Sequence, residues 1–116
     1  MLSDEYRYKI LHLLEKEPQL SQRALAGQLG LSLGKANYCV QALIEKGLIK
    51  ARNFRNSQNK TAYMYYLTPK GIREKARVTV RFLQAKMAEY EQLKTEIEAL
   101  RRDAERARAA GEARRA

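Results

Sequence analysis

Residues 20–49 read LSQRALAGQLGLSLGKANYCVQALIEKGLI, and the fold turns on how this stretch is parsed. Leu20 and Ser21 supply an apolar residue followed by a hydroxyl cap, with Leu25 placed to staple back onto Leu20. Ala24, Leu25 and Leu29 then form a short apolar stripe at helical spacing, and Gly30 breaks it. Ser32 caps a second helix, expected over 32–46, whose apolar positions are Leu33, Ala36, Val40, Leu43 and Ile44. Gly47 ends that helix. Away from the apolar face, near the helix start, lie Gly34, Lys35, Asn37, Tyr38 and Gln41. A short helix, a glycine turn and a longer helix with hydrogen-bonding side chains on its outer N-terminal half make a helix-turn-helix pattern, which implies a DNA-binding element.

The flanking sequence completes a small head. Ser3 caps a first helix running to about Lys16, with Tyr6, Ile10, Leu13 and Leu14 as its buried stripe and Pro18 as its stop. Tyr8 and Leu11 fall off that stripe and are expected to touch a C-terminal helix. His12 is expected at the surface or its boundary, and Cys39 as a small semi-buried hydrophobe rather than a redox switch. After Gly47, residues 48–54 read as a strand and 55–60 (RNSQNK) as a polar, mobile loop. Residues 61–67 (TAYMYYL) are rich in strand formers and read as a returning strand. Two strands around a basic loop make a wing.

Thr68-Pro69 opens another helix, a hydroxyl cap with proline at the first position. No proline follows, so the helix is expected over residues 69–108, about 60 Å at 1.5 Å per residue. Ala76, Val80, Leu83, Met87 and Tyr90 are spaced 4-3-4-3, as are Leu93, Ile97, Leu100, Ala104 and Ala107. The two series are offset by one residue, which gives a coiled-coil-like stripe with one discontinuity. A head of residues 1–68 is too small to bury that stripe, so the sequence predicts a homodimer through Val80, Leu83, Met87, Tyr90, Leu93, Ile97 and Leu100. Residues 109–116 are an Arg/Ala-rich tail expected to fray. The fold class expected is mainly α with a little β: three helices, a two-stranded wing and one long C-terminal helix.

Charge placement agrees with this division. The net charge is +10. Residues 1–31 are balanced, whereas residues 32–60 carry Lys35, Lys46, Lys50, Arg52, Arg55 and Lys60 against Glu45 alone. A surplus on the second helix and the segment after it is the footprint of a polyanion binder. Asn37 and Gln41 suit adenine, Lys35 suits guanine, Gly34 permits close backbone approach, and Tyr38 suits a phosphate or a thymine methyl. Ser32, Gln22 and Arg23 suit phosphates near helix N-termini. Arg52, Arg55, Asn56, Ser57, Asn59 and Lys60 would follow the backbone or enter the minor groove, with Arg55 the residue for insertion.

Other functional classes find little support. One cysteine and one histidine give neither a disulfide framework nor a zinc site, so no metal and no cofactor is expected. No carboxylate pair, nucleophile–base set or phosphate-binding loop appears at suggestive spacing, so the chain does not read as an enzyme. No apolar run nears the roughly 18 residues of a membrane span, and no secretory signal is visible, so the cytoplasm is the expected compartment. The competing reading is an interaction adaptor whose long helix docks a larger complex.

Together, residues 20–49, the hairpin after them and LTPKG at 67–71 resemble the winged helix-turn-helix regulators of the MarR type, over about residues 5–75. The whole chain is most similar to a small subgroup associated with bacterial exopolysaccharide genes. The resemblance implies a dimeric transcriptional regulator, repressor-like, on a pseudo-palindromic operator. The wing reads FRNSQNK at 54–60 in place of the family's Asp-Arg signature, so its contacts are not transferred. A small-molecule effector and the direction in which the long helices pair are left open.

Overall fold

The computed structural model describes residues 2–55 and 61–115, in the order α1 (Asp4–Lys16), α2 (Gln22–Leu29), α3 (Leu33–Glu45), β1 (Ile49–Arg55), β2 (Thr61–Leu67) and α4 (Pro69–Arg115). Local chemistry sets the helix starts. The Ser3, Ser21 and Ser32 hydroxyls accept from the backbone N–H of Tyr6, Ala24 and Lys35 at 3.3, 3.0 and 3.1 Å. Each satisfies one of the donors a helix start leaves open. Gly30 and Gly47 take left-handed backbone at φ 67° and 73°. At the end of α3, Gly47 N–H donates to Ile44 O at 2.9 Å and Leu48 N–H to Leu43 O at 3.0 Å. That is a Schellman closure, and its apolar partners Leu43 and Leu48 are both buried.

The strands pair antiparallel, from Ile49 opposite Leu67 to Arg55 opposite Thr61. β1 thus starts one residue later than the sequence suggests. The base of the wing is tied to the head where Tyr65 N–H donates to Pro18 O at 2.9 Å. The core gathers Ile10, Leu11 and Leu14 of α1, Leu25 of α2, Cys39, Val40 and Leu43 of α3, then Leu48, Ile49 and Tyr65.

Three sequence expectations are corrected here. Of the expected α1 stripe only Ile10 and Leu14 are buried, with Tyr6 and Leu13 half-buried, while Leu11 outside it is fully buried because α1 is packed on more than one side. On α2, Ala26 is buried and Ala24 exposed, the reverse of the expected stripe. On α3, Cys39 is buried while Leu33 is 44% exposed, since the first residue of the helix lies beyond the edge of the core. Tyr8 does meet α4, stacking on Phe82 with ring centroids 5.4 Å apart.

Two compact units divide the chain, residues 1–82 and 83–116. The first includes the opening turns of α4, so the head extends past the expected boundary at residue 68. Thr68 starts α4 by accepting from Gly71 N–H at 3.0 Å, and the same hydroxyl donates to Gly47 O at 2.5 Å. Lys70 Nζ donates to Lys46 O at 2.9 Å. A Cβ at Gly71 would collide with the Leu48 carbonyl oxygen, so glycine permits the close approach. The face of α4 that packs on the head is Gly71, Glu74, Lys75, Val78 and Phe82, not the stripe through Ala76 and Val80, which is exposed. Polar pairs hold it: Arg7 with Glu74 at 2.9 Å, Lys75 with Glu15 at 2.6 Å, Arg81 with Asp4 at 2.8 Å.

The second unit is the remainder of α4. Helix continues through Gly111 to Arg115, where fraying was expected. Ala and Arg are strong helix formers, and one glycine costs only about 1 kcal/mol against alanine.

Candidate nucleic-acid interface

Helix α3 separates its faces cleanly. Ala36, Cys39, Val40 and Leu43 are buried, while Ser32, Gly34, Lys35, Asn37, Tyr38 and Gln41 are all exposed. At 100° per residue, positions 34, 35, 37, 38 and 41 span an arc of about 160° opposite the core. The structure therefore brings every residue expected on the reading edge to one surface. Open space surrounds Gly34, so a backbone approach there meets no obstacle.

The helix ends prepare the electrostatics. α1, which packs inside the head, carries Asp4 and Glu5 in its first turn. Neither α2 nor α3 has an acidic residue in its first turn. Their N-terminal partial positive charges are therefore not neutralised by a carboxylate of the same turn, as an anion-binding helix end requires. Ser32 spends a lone pair on the cap and keeps its O–H to donate outward. Arg23 is exposed beside Ser21 and suits a phosphate.

Gln22 departs from its expected role. Its Nε2 donates to the Tyr65 hydroxyl at 3.0 Å, a bond between α2 and the wing that positions both. Tyr38 is 57% exposed and borders a groove of about 330 Å³ with Leu2, Ser3 and Tyr6, on the α1 side of α3 and not at the wing. Burial pushes the Cys39 thiol above its usual value, with Lys35 pulling the other way only in part. At 1% exposure its side chain packs as a small apolar member of the core.

On the wing, Arg52 lies over the Tyr66 ring, its guanidinium carbon 5.5 Å from the centroid. Lys50 pairs with Tyr66 across the strands and shares Arg52's face by the period of two. The sequence held the signal for Lys50, a second cation two residues before Arg52, yet did not single it out as a contact. Leu33 is the other addition, an exposed apolar side chain beside Ser32 that suits a thymine methyl. The Arg55 side chain, together with Asn56, Ser57, Asn59 and Lys60, lies outside the described residues, as does the expected mobility of that loop. Among the described residues no group of metal-binding side chains occurs, and no helix is long and apolar enough to cross a membrane.

Comparison with known proteins agrees with this geometry. Residues 3–50 match the winged helix-turn-helix DNA-binding family. No curated protein sequence matches significantly. Among solved structures, the PcaV transcriptional regulator from Streptomyces coelicolor, in complex with its natural ligand, aligns with a TM-score of 0.62 at 25% identity. That alignment covers 86% of this chain and 73% of PcaV. A MarR family transcription regulator aligns with a TM-score of 0.57 at 23% identity, over 74% of this chain and 55% of its own. The transcriptional regulator SlyA aligns with a TM-score of 0.59 at 19% identity, over 84% and 73% of the two chains. Residues 3–50 are thus similar to winged helix-turn-helix DNA-binding domains, and the chain has the fold of the MarR-type transcriptional regulators.

Proposed function

We propose that the chain is a homodimeric transcriptional regulator that reads double-stranded DNA. The observation that carries this reading is the exposed outer face of α3, where Lys35, Asn37 and Gln41 lie opposite the buried Ala36, Cys39, Val40 and Leu43. Two heads would present these helices to successive major grooves of a pseudo-palindromic operator, about 34 Å apart. Lys35, Asn37 and Gln41 read base edges. Leu33 and Tyr38 give apolar contacts, and Ser32, Arg23, Lys50 and Arg52 hold the backbone. Gly34 admits the strand, Arg55 enters the minor groove, and Asn56, Ser57, Asn59 and Lys60 follow it.

The dimer rests on the outer stripe of α4. Val80, Leu83, Met87, Tyr90, Leu93, Ile97 and Leu100 are between 42% and 65% exposed, an apolar face far larger than scattered surface residues provide. A repressor-like action at exopolysaccharide genes follows from the subgroup resemblance. The same stripe supports the second reading, an adaptor whose helix docks another protein.

Selection of bound sequences from random genomic fragments, followed by anisotropy titrations against salt, tests the proposal. A selected site that lies beside exopolysaccharide genes supports the finer assignment. Lys35→Ala or Gln41→Ala is expected to lose about 1–3 kcal/mol on the selected site and little on random DNA. Lys60→Ala is expected to weaken all DNA alike and lower the salt slope by about one. Equal losses on both DNAs for the helix variants would remove the base-reading roles. No binding even at low salt would leave the adaptor.

A further inference from the structure

A homodimer through α4 can be built with its helices parallel or antiparallel, and the second unit carries the information that chooses. From Tyr90 onward the stripe keeps one heptad frame, with Tyr90, Ile97 and Ala104 at a and Leu93, Leu100 and Ala107 at d. The large members are exposed: Tyr90 by 63%, Leu93 by 54%, Ile97 by 42% and Leu100 by 65%. Lys86 at the preceding d position and Gly111 at the following a position bound this frame of the stripe, which thus spans about three heptads, or roughly 30 Å.

Packing alone does not decide the direction. An antiparallel pairing centred between Ile97 and Leu100 would set Tyr90 against Ala107 and Leu93 against Ala104, large against small. A parallel pairing would set each residue against its own copy. Both fill the seam with apolar side chains.

Charge decides it. The three positions that precede each a residue are acidic: Glu89, Glu96 and Asp103. The three that follow each d residue are basic: Lys94, Arg101 and Arg108. These are the g and e positions, which flank the seam on its two sides. In a parallel pair the g side of one helix faces the e side of its partner, five residues further along. In an antiparallel pair g faces g and e faces e.

Resting on the homodimer reading above, we propose that two copies pair over 89–108 as a parallel, in-register coiled coil. Glu89 meets Lys94, Glu96 meets Arg101 and Asp103 meets Arg108 of the second copy, and each pair forms twice across the axis. The antiparallel alternative sets Glu96 against Asp103 and Lys94 against Arg101, like charge against like, and leaves Glu89 and Arg108 opposite the uncharged Ala110 and Met87. Within one chain, Glu89 lies 3.1 Å from Lys86 and Asp103 lies 3.7 Å from Arg106. Both are exposed i,i+3 pairs of the kind worth little, so exchanging them for a partner across the seam loses little.

The experiment uses the full chain carrying Cys39→Ser. With Leu93→Cys added, mild oxidation is expected to give a disulfide-linked dimer, because position 93 faces its own copy. Cross-linking only when Leu93→Cys is mixed with Ala104→Cys would overturn the orientation, and no cross-link in either case would overturn the seam. Sedimentation gives an independent reading. Glu96→Lys is expected to weaken the dimer about tenfold, and Arg101→Glu in the same chain to restore it, since the exchanged pair is again opposite in charge. A tighter dimer for Glu96→Lys alone would overturn the proposal, because in the antiparallel frame that change relieves a clash with Asp103. Anisotropy on the selected DNA separates the two levels. A dimer that reads DNA without the Leu93→Cys link refutes the orientation alone, and a linked dimer indifferent to sequence refutes the regulator reading alone.

Discussion

The opening of α4 and its continuation have similar apolar spacing and opposite fates. Between Pro69 and Phe82 the helix is anchored to the head by Gly71, Glu74, Lys75 and Val78. From Leu83 on, its large apolar residues are exposed. A 4-3 spacing therefore marks a face without naming what covers it. Within the head the covering face was a different one, built around a glycine and two charged residues that a hydrophobic pattern passes over.

That contrast breaks first where the head's core is cut. Leu43→Ala is expected to cost about 2–5 kcal/mol in urea unfolding, independent of protein concentration, since Leu43 is fully buried. Leu100→Ala is expected to leave head unfolding unchanged and to weaken self-association. If Leu100→Ala instead unfolds the head, the two regions are not separate. Next comes the anchor. Gly71→Ala is expected to cost about 1–3 kcal/mol, because the added methyl meets the Leu48 carbonyl. A similar substitution at Gly111, where nothing lies within 4 Å, is expected to stabilise the helix slightly by circular dichroism.

A smaller effect separates two uses of a capping serine. Ser21→Ala and Ser32→Ala are each expected to cost about 1 kcal/mol of stability. Ser32→Ala is expected to cost DNA affinity more than its neighbour does, as measured by anisotropy.

The smallest effect concerns acid. Burial opposes the charged form of Glu74, but hydrogen bonds and charge from Arg77 and Arg7 outweigh it and hold its carboxyl below the ordinary 4.5. The unfolded chain then binds the proton more tightly, so this stabilisation is present above about pH 4.5 and lost as the pH falls through the lower folded value. Glu74→Gln is expected to flatten that acid limb in urea titrations. An unchanged limb would show that Glu74 does not contribute.

The head was legible wherever a local rule acts. Ser3, Ser21, Ser32 and Thr68 cap as their sequence contexts imply, Gly47 ends α3, and 61–67 returns as a strand. The outer edge of α3 was legible too, because its polar residues lie opposite a stripe of period 3.6. What stayed hidden depends on partners distant in sequence. Leu11 and Cys39 are buried because neighbouring elements close over them. Gln22 is engaged by Tyr65, 43 residues away. The polar face of α4 is recognisable only once Arg7 and Glu15 are known to stand opposite it.

One hydroxyl ties these levels together. Thr68 closes the exit of α3 and opens α4 with a single oxygen, while Lys70 grips the neighbouring carbonyl. The exit of one helix and the start of the next thus share a single fastening. Losing that oxygen would therefore loosen both helix ends at once.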